Sequence, residues 1–267
     1  MKKENDAFIS FDNSQAGLIM DDSKHPLYPI KYWNVINGVG MGEVNPRHSY
    51  YIYLYSGVSN LEQSGRAPQI LNEGMFASVH GDFVLKCGDN SKAIVIETIN
   101  EKGEYKKDNF SAYYMLGGPI EETGRLKYID GCTDSLLLNP VKMGNPCLNH
   151  LHFPHSIDQT LHTHPTHRIG IVARGHGECI TPFGNLPLYK EMIFVIKEWD
   201  GKTMRKGLDG KDYPVGLHAF RTFDETMDVI AFHPDSDFGS TDEVHPMINR
   251  TIVDGKKASQ IEEIRTK

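Results

Sequence analysis

The 267 residues carry a formal charge of −7 at neutral pH, with 28 Lys and Arg against 35 Asp and Glu. Phosphate backbones attract basic surfaces, so this balance argues against nucleic acid as the main partner. No stretch approaches the ~18 apolar residues of a membrane span, and the leading MKKENDAFISFDNSQ lacks the apolar centre of a signal peptide. The reading is a cytoplasmic chain that engages neither nucleic acid nor membrane. Its length suits one large or two modest domains.

Strand signals dominate in chain order. YYIYLYSG (50–57) is rich in aromatic residues and closes on a turn glycine. FVLKCGDN (83–90) leads into a turn, and KAIVIETI (92–99) is a short apolar run. A connection rich in turn residues follows at 117–146. The second half repeats the style with RIGIVARG (168–175), EMIFVIKEW (191–199) and MDVIAFHP (227–234). Between the last two, DGKT (200–203) lacks the glycines of a phosphate loop and reads as a turn. The tail from 254 to 267 sets Ile261 and Ile264 on one side of a short predicted helix. Short runs bounded by Gly, Asn, Asp and Pro predict an all-β sandwich or barrel. The two halves share one plan, which predicts a barrel in 1–125 and another in 126–267.

Cys87, Cys132, Cys147 and Cys179 form no CxxC pair and are expected to be reduced structural thiols. Asn109 and Asn249 head glycosylation-type triplets, which read as chance matches where no signal peptide precedes them.

QTLHTHPTHRIGIVARGHGE (159–178) is the densest chemistry in the chain. On a strand, residues two apart face the same way, so His162 and His164 would aim both imidazoles at one point. YPVGLHAFR (213–221) offers a third imidazole, His218. Arg168 shares the parity of His162 and His164, whereas His167 has the opposite parity. Gln159 is a further candidate to reach a metal or substrate. In NHLHFPHS, His150, His152 and His155 form a second cluster broken by proline, which suits a loop or supporting role. In the first half, Val44 and Pro46 occupy the positions matching the HxH pair, and His48 and His80 recreate no triad.

These residues resemble the cupin superfamily. Its first motif, G-x5-H-x-H-x3,4-E-x6-G, is matched by His162, His164 and Gly175, with Arg168 where the acid is expected. Its second, P-x-G-x2-H, is matched by Pro214, Gly216 and His218, one residue short. The resemblance implies two jelly-roll barrels with few short helices, the first metal-free and the second holding one metal on His162, His164 and His218. Arg168 cannot ligate a metal, since a guanidinium offers donors only. It can grip a carboxylate in a bidentate pair. The pattern is similar to three-histidine cupins, the gentisate-type and thiol dioxygenases. It implies Fe(II), with Mn, Ni or Zn as alternatives, and a small anionic substrate, with Arg168 and Gln159 as catalytic candidates. An isomerase or lyase using the metal as a Lewis acid, and a non-enzymatic ligand-binding bicupin, are the rival readings. A homo-oligomer is compatible with all three.

Overall fold

The computed structural model describes residues 3–11 and 13–236, together with the backbone pairing of Ile252–Val253 with Lys256–Lys257. The stretch Asp237–Lys267 forms a unit of its own. The helix expected over 254–267 lies outside the described residues, except that Lys256 and Lys257 are extended.

The chain begins with β1 (Lys3–Glu4), β2 (Phe8–Phe11), β3 (Gly17–Asp22), β4 (Ile30–Ile36) and β5 (Ser49–Ser56). It continues with β6 (Val58–Glu62), β7 (Gln69–Asn72), β8 (Phe76–His80), β9 (Val84–Cys87), β10 (Lys92–Thr98) and β11 (Met115–Gly117). One short helix, Gly103–Lys107, stands between the last two. The remainder is β12 (Leu126–Lys127), β13 (Thr133–Leu138), β14 (Cys147–Phe153), β15 (Arg168–Ile180), β16 (Leu186–Tyr189) and β17 (Ile193–Ile196). Then come β18 (Met204–Lys206), β19 (Asp212–Pro214), β20 (Ala219–Arg221) and β21 (Met227–His233). The fold is all-β, as two jelly-roll barrels require. A six-stranded sheet ordered β11-β8-β5-β10-β4-β3 and a three-stranded sheet ordered β7-β6-β9 make the first barrel. A ten-stranded sheet ordered β1-β2-β17-β15-β21-β14-β13-β12, with β16 and β20 also on β15, makes the second.

Side-chain parity explains how the two are joined. In β5, Tyr50, Ile52 and Leu54 point into the first barrel, where they meet Val79, Phe83 and Val95. Tyr51, Tyr53 and Tyr55 point the other way, onto Ile169, Ile171, Ile193, Ile230 and Phe232 of the second sheet. In β17, Ile193 and Val195 face this shared layer, while Phe194 and Ile196 face the interior of the second barrel. Each central strand is thus buried on both faces, and its sequence is an apolar run rather than an alternation. Fully burying one such side chain contributes about 1.5–3 kcal/mol, so the shared layer is a major source of stability.

The N-terminal strands depart from the simple division at 125. Phe8–Phe11 pair antiparallel with Ile193–Ile196, so β1 and β2 extend the second sheet. Phe8 stacks on Phe194 at 5.0 Å between ring centres, adding an apolar lid to that barrel.

Candidate metal centre

His162 and His164 do not sit on a strand. They stand in the loop before β15, where Pro165 removes a backbone donor that a ladder would need. Their position is set instead by a two-way bridge: His162 N donates to His218 O (2.9 Å) and His218 N to His162 O (3.0 Å). Three residues earlier the same pairing has Gln159 N donating to Phe220 O (3.1 Å). The motif glycines serve the backbone. Gly175 (φ +69°) and Gly216 (φ +75°) adopt left-handed conformations, and a Cβ there would strike the carbonyl oxygens of Thr226 and Lys197 respectively.

The bridge brings three imidazoles together. Ring centres lie 4.5 Å apart for His162 and His218, 5.1 Å for His162 and His164, and 5.2 Å for His164 and His218. One ring nitrogen of each falls within 4.8 Å of the others. The tautomers of two are fixed by their other nitrogen. His162 Nδ1 donates to Thr160 O (2.8 Å) and His218 Nδ1 to Gly216 O (2.8 Å). A carbonyl only accepts, so Nδ1 carries the proton and Nε2 presents its lone pair. This is the orientation that metal-binding histidines take from their outer partners. Burial also holds the rings of His218 and His164 neutral. It pushes His218 down to about 3, with His162 adding to the effect, and it pulls His164 strongly down, with Arg168 next in size. Neutral imidazoles leave no proton for a cation to displace at physiological pH. The residues therefore fit a first-row divalent metal.

The three rings open on a cavity of about 20 Å³, room for a water-sized ligand or two. Its walls are mainly apolar, with Leu151, Phe153, Phe194, Phe220 and Val229 among them. Arg168, the first residue of β15, lines the same cavity. Its Nη1 donates to Asp235 Oδ1 (2.9 Å) and to Thr166 Oγ1, and that hydroxyl in turn donates to Asp235 (2.5 Å). Its Nε–H is buried without a partner among the described residues. Gln159 is also in the wall, but its carbonyl oxygen accepts from Phe220 N (3.1 Å) and its amide reaches Cys132 Sγ (3.5 Å). His233, which the sequence reading passed over, stands in the wall as well, and burial pulls it well below its ordinary value. The signal was present: Val229, Ala231 and His233 share one parity in β21, and all three line the cavity.

The other histidines lie elsewhere. His167, just before β15, is buried with its Nδ1 facing Asp22 Oδ2 (3.8 Å) and Glu198 Oε2 (3.9 Å). His150 and His152 are not in a loop. They sit on β14, buried, and both donate to Asp228 Oδ1 (2.7 and 2.9 Å), while Arg174 Nε donates to Asp228 Oδ2 (2.9 Å). The proline follows the strand and does not break it. In the first barrel, His48 is held between Glu97 (2.7 Å) and Glu101 (2.7 Å), and His80 contacts Ser49 Oγ (3.0 Å). The four cysteines form no disulfide with one another, and burial pushes the Cys132 thiol up to about 11.

Two packed jelly-roll barrels with a histidine cluster in one of them define the double-barrel cupin fold. No protein-family model and no curated protein sequence matches the chain. Solved structures share the fold across most of its length. A cupin 2 conserved barrel domain protein from Leptotrichia buccalis is 13% identical, covers 88% of this chain and 92% of its own, and has a TM-score of 0.52. Protein Ylba from E. coli is 12% identical over 88% of this chain and 94% of its own, with a TM-score of 0.56. Salicylate 1,2-dioxygenase from Pseudaminobacter salicylatoxidans is 10% identical over 82% of this chain and 76% of its own, with a TM-score of 0.52. At these identities the likeness is one of fold. Among the described residues, no helix is long and apolar enough to cross a membrane.

Proposed function

We propose that this chain is a metal-dependent enzyme of the cupin type, acting on a small carboxylate-bearing molecule, and that it is an Fe(II) dioxygenase. His162, His164 and His218 would hold the metal. The observation that carries the reading is a three-imidazole set without a carboxylate ligand, beside a cavity-lining arginine with an orphaned buried N–H. Three neutral ligands leave the metal its full positive charge, which favours an anionic partner. The likeness in fold to salicylate 1,2-dioxygenase is compatible with oxygen chemistry, and the choice over the rival readings rests on the all-histidine donor set. When bound, Fe(II) would supply open coordination positions for substrate and dioxygen.

The residues of the chain have separate tasks. Asp235 and Thr166 hold one edge of the Arg168 guanidinium, leaving Nε–H for a substrate carboxylate oxygen. Gln159 fixes the backbone of Phe220 and so the wall of the cavity. Phe153, Phe194 and Phe220 exclude water, which strengthens every charge interaction inside. The cavity has room for a water-sized ligand or two, so a carboxylate-bearing substrate must displace side chains at the mouth.

A second reading has His233 behind it. His233 adds a further polar group to the cavity wall beside the three-histidine set, which could orient a substrate whose carbonyl the metal would polarise, as a metal-dependent isomerase or lyase needs. Oxygen uptake by Fe(II)-loaded protein, measured over a panel of small carboxylates and thiols, separates the two. Uptake matched to product formation supports the dioxygenase. Undiminished turnover under strict anaerobiosis rules it out and leaves the isomerase or lyase.

A further inference from the structure

The tautomer of His162 rests on a carbonyl that no regular strand supports. His162 Nδ1 donates to Thr160 O (2.8 Å), and Thr160 is exposed in the loop before β15. Two backbone bridges flank it, Asp158 with Arg221 and His162 with His218. Between them residues 159–161 run opposite only 219 and 220, so the loop carries one residue more than its partner. Such a bulge re-aims side chains and leaves backbone groups outside the ladder. Phe220 N accordingly donates to the Gln159 side-chain oxygen (3.1 Å) rather than to a backbone carbonyl. The N–H of Thr160 is met by a side chain from elsewhere in the chain: it donates to Asp130 Oδ2 (2.7 Å).

Asp130 sits in the short turn Ile129–Gly131, between β12 and β13. Its backbone is left-handed (φ 53°, ψ 33°), and Gly131 follows at φ +86°. Asp and Asn enter this region more readily than other L residues, because a short polar side chain can bond locally. Here the carboxylate bonds a distant loop instead. The turn is closed on itself by Tyr128 N donating to Cys132 O (2.9 Å) and Cys132 N to Ile129 O (3.1 Å). It meets the same loop again at Cys132 Sγ, which the Gln159 amide reaches (3.5 Å). Asp130 itself is not among the residues that line the cavity.

We propose, resting on the metal reading above, that Asp130 is a positioning residue of the metal centre. Through Thr160 it holds the bulge in the shape that keeps a carbonyl on His162 Nδ1–H, and so keeps Nε2 free for a metal. Partners of this outer kind tune the affinity of metal-binding histidines. His218 is held in a parallel way, since Gly216 accepts from its Nδ1 (2.8 Å) and Gly216 N donates to Asp6 O (3.0 Å). That second contact is backbone to backbone, whereas Asp130 acts through a side chain that substitution can remove.

The test uses the full chain. In metal-free protein with isotope-labelled histidine, NMR reads which ring nitrogen of His162 carries the proton, its signal assigned by loss in His162→Gln. The native chain should show the Nδ1–H form. Asp130→Gly keeps the left-handed turn and deletes the acceptor. It should let His162 mix in the Nε2–H form, and it should weaken Co²⁺ binding, followed by visible absorption, roughly tenfold. Asp130→Asn keeps both an acceptor oxygen and the backbone preference, and should match the native chain in both measurements. Circular dichroism and melting confirm that each variant folds. A brace of stability alone would lower the melting temperature of Asp130→Gly and leave the ring proton on Nδ1. That result overturns the role, as does an Asp130→Asn that loses as much as Asp130→Gly. Should the native chain take up no Co²⁺, the metal reading falls, while the tautomer measurement still decides the role of Asp130.

Discussion

His48 in the first barrel and His218 in the second are both buried imidazoles in equivalent architecture, and they are suited to opposite tasks. His48 has carboxylates on both ring nitrogens, Glu97 on one and Glu101 on the other, at 2.7 Å each. Every lone pair or proton it owns is committed. His218 gives only Nδ1–H away, to a backbone carbonyl, and keeps Nε2 for the cavity. The identity of the residue does not decide metal binding. The partner of its second nitrogen does.

The strongest way to break that contrast is to remove each imidazole in turn. His162→Ala, His164→Ala and His218→Ala should each abolish tight metal binding by the first cluster, whereas His48→Ala and His80→Ala should leave metal content at the native level. Metal analysis of freshly purified anaerobic protein checks this, and full occupancy in any of the first three removes that residue from the set.

Without metal the ranking should invert. His48→Ala leaves the buried Glu97 carboxylate without its hydrogen-bond partner at 2.7 Å, a loss of about 1–3 kcal/mol. His218→Ala removes a neutral ring from a cavity wall and should lower the melting temperature of the chelator-stripped protein less. Equal melting temperatures for the two variants would show that the His48 pair contributes no more than packing.

Arg168 sharpens the contrast within the second barrel. Arg168→Lys keeps the charge and loses the planar fork, so metal content should hold while substrate affinity falls roughly 10- to 150-fold, the equivalent of about 1.5–3 kcal/mol. Arg168→Glu should go further, adding a fourth ligand and repelling an anion. A native KM in Arg168→Glu sinks the carboxylate-anchor role.

The smallest effect is a pH dependence. Burial pushes the Asp134 carboxyl up to about 6, and a hydrogen bond from Asn149 offsets only part of that. Its unfolded value is about 3.9. Between these values the folded state binds more protons, so stability falls as pH rises from about 4 to about 6 and stays lower above it. Asp134→Asn should raise stability at pH 7.5 by about 1–3 kcal/mol and leave it unchanged at pH 3. Thermal melts at the two pH values decide it, and a gain of the same size at both would place the cause in packing rather than ionisation.

How much of this was legible depends on the range of the signal. Strands such as Ser49–Ser56, Lys92–Thr98 and Met227–His233 announce themselves locally, because a strand buried on both faces is an apolar run between turn residues. The first cluster was legible because its spacing and its glycines answer to local backbone geometry. The reason given for the convergence of His162 and His164 was not the operative one. They meet His218 through a bridge between distant loops, not through alternation along one strand. His150 and His152 were misplaced because nothing near them in sequence reveals Asp228, which holds them from another strand. The partnership of Arg168 with Asp235 and the convergence of Asp22 and Glu198 on His167 exist only after the chain has folded back across both sheets.

The pairing of Phe8–Phe11 with Ile193–Ile196 has a consequence for the order of events in folding. The edge of the sheet that bears the first cluster is finished by a segment synthesised long before its partner. That contact joins residues 182 to 188 positions apart, and closing so long a loop is entropically unfavourable until other contacts shorten it. The first barrel can assemble while the second is still being made, but the second must wait for a strand already waiting upstream. Until Phe8 docks on Phe194, the cavity lacks its outer covering and the edge of β17 is open to any other strand. Competence to exclude water from the site should therefore arrive as a late, slow kinetic phase, after most of the sheet has formed.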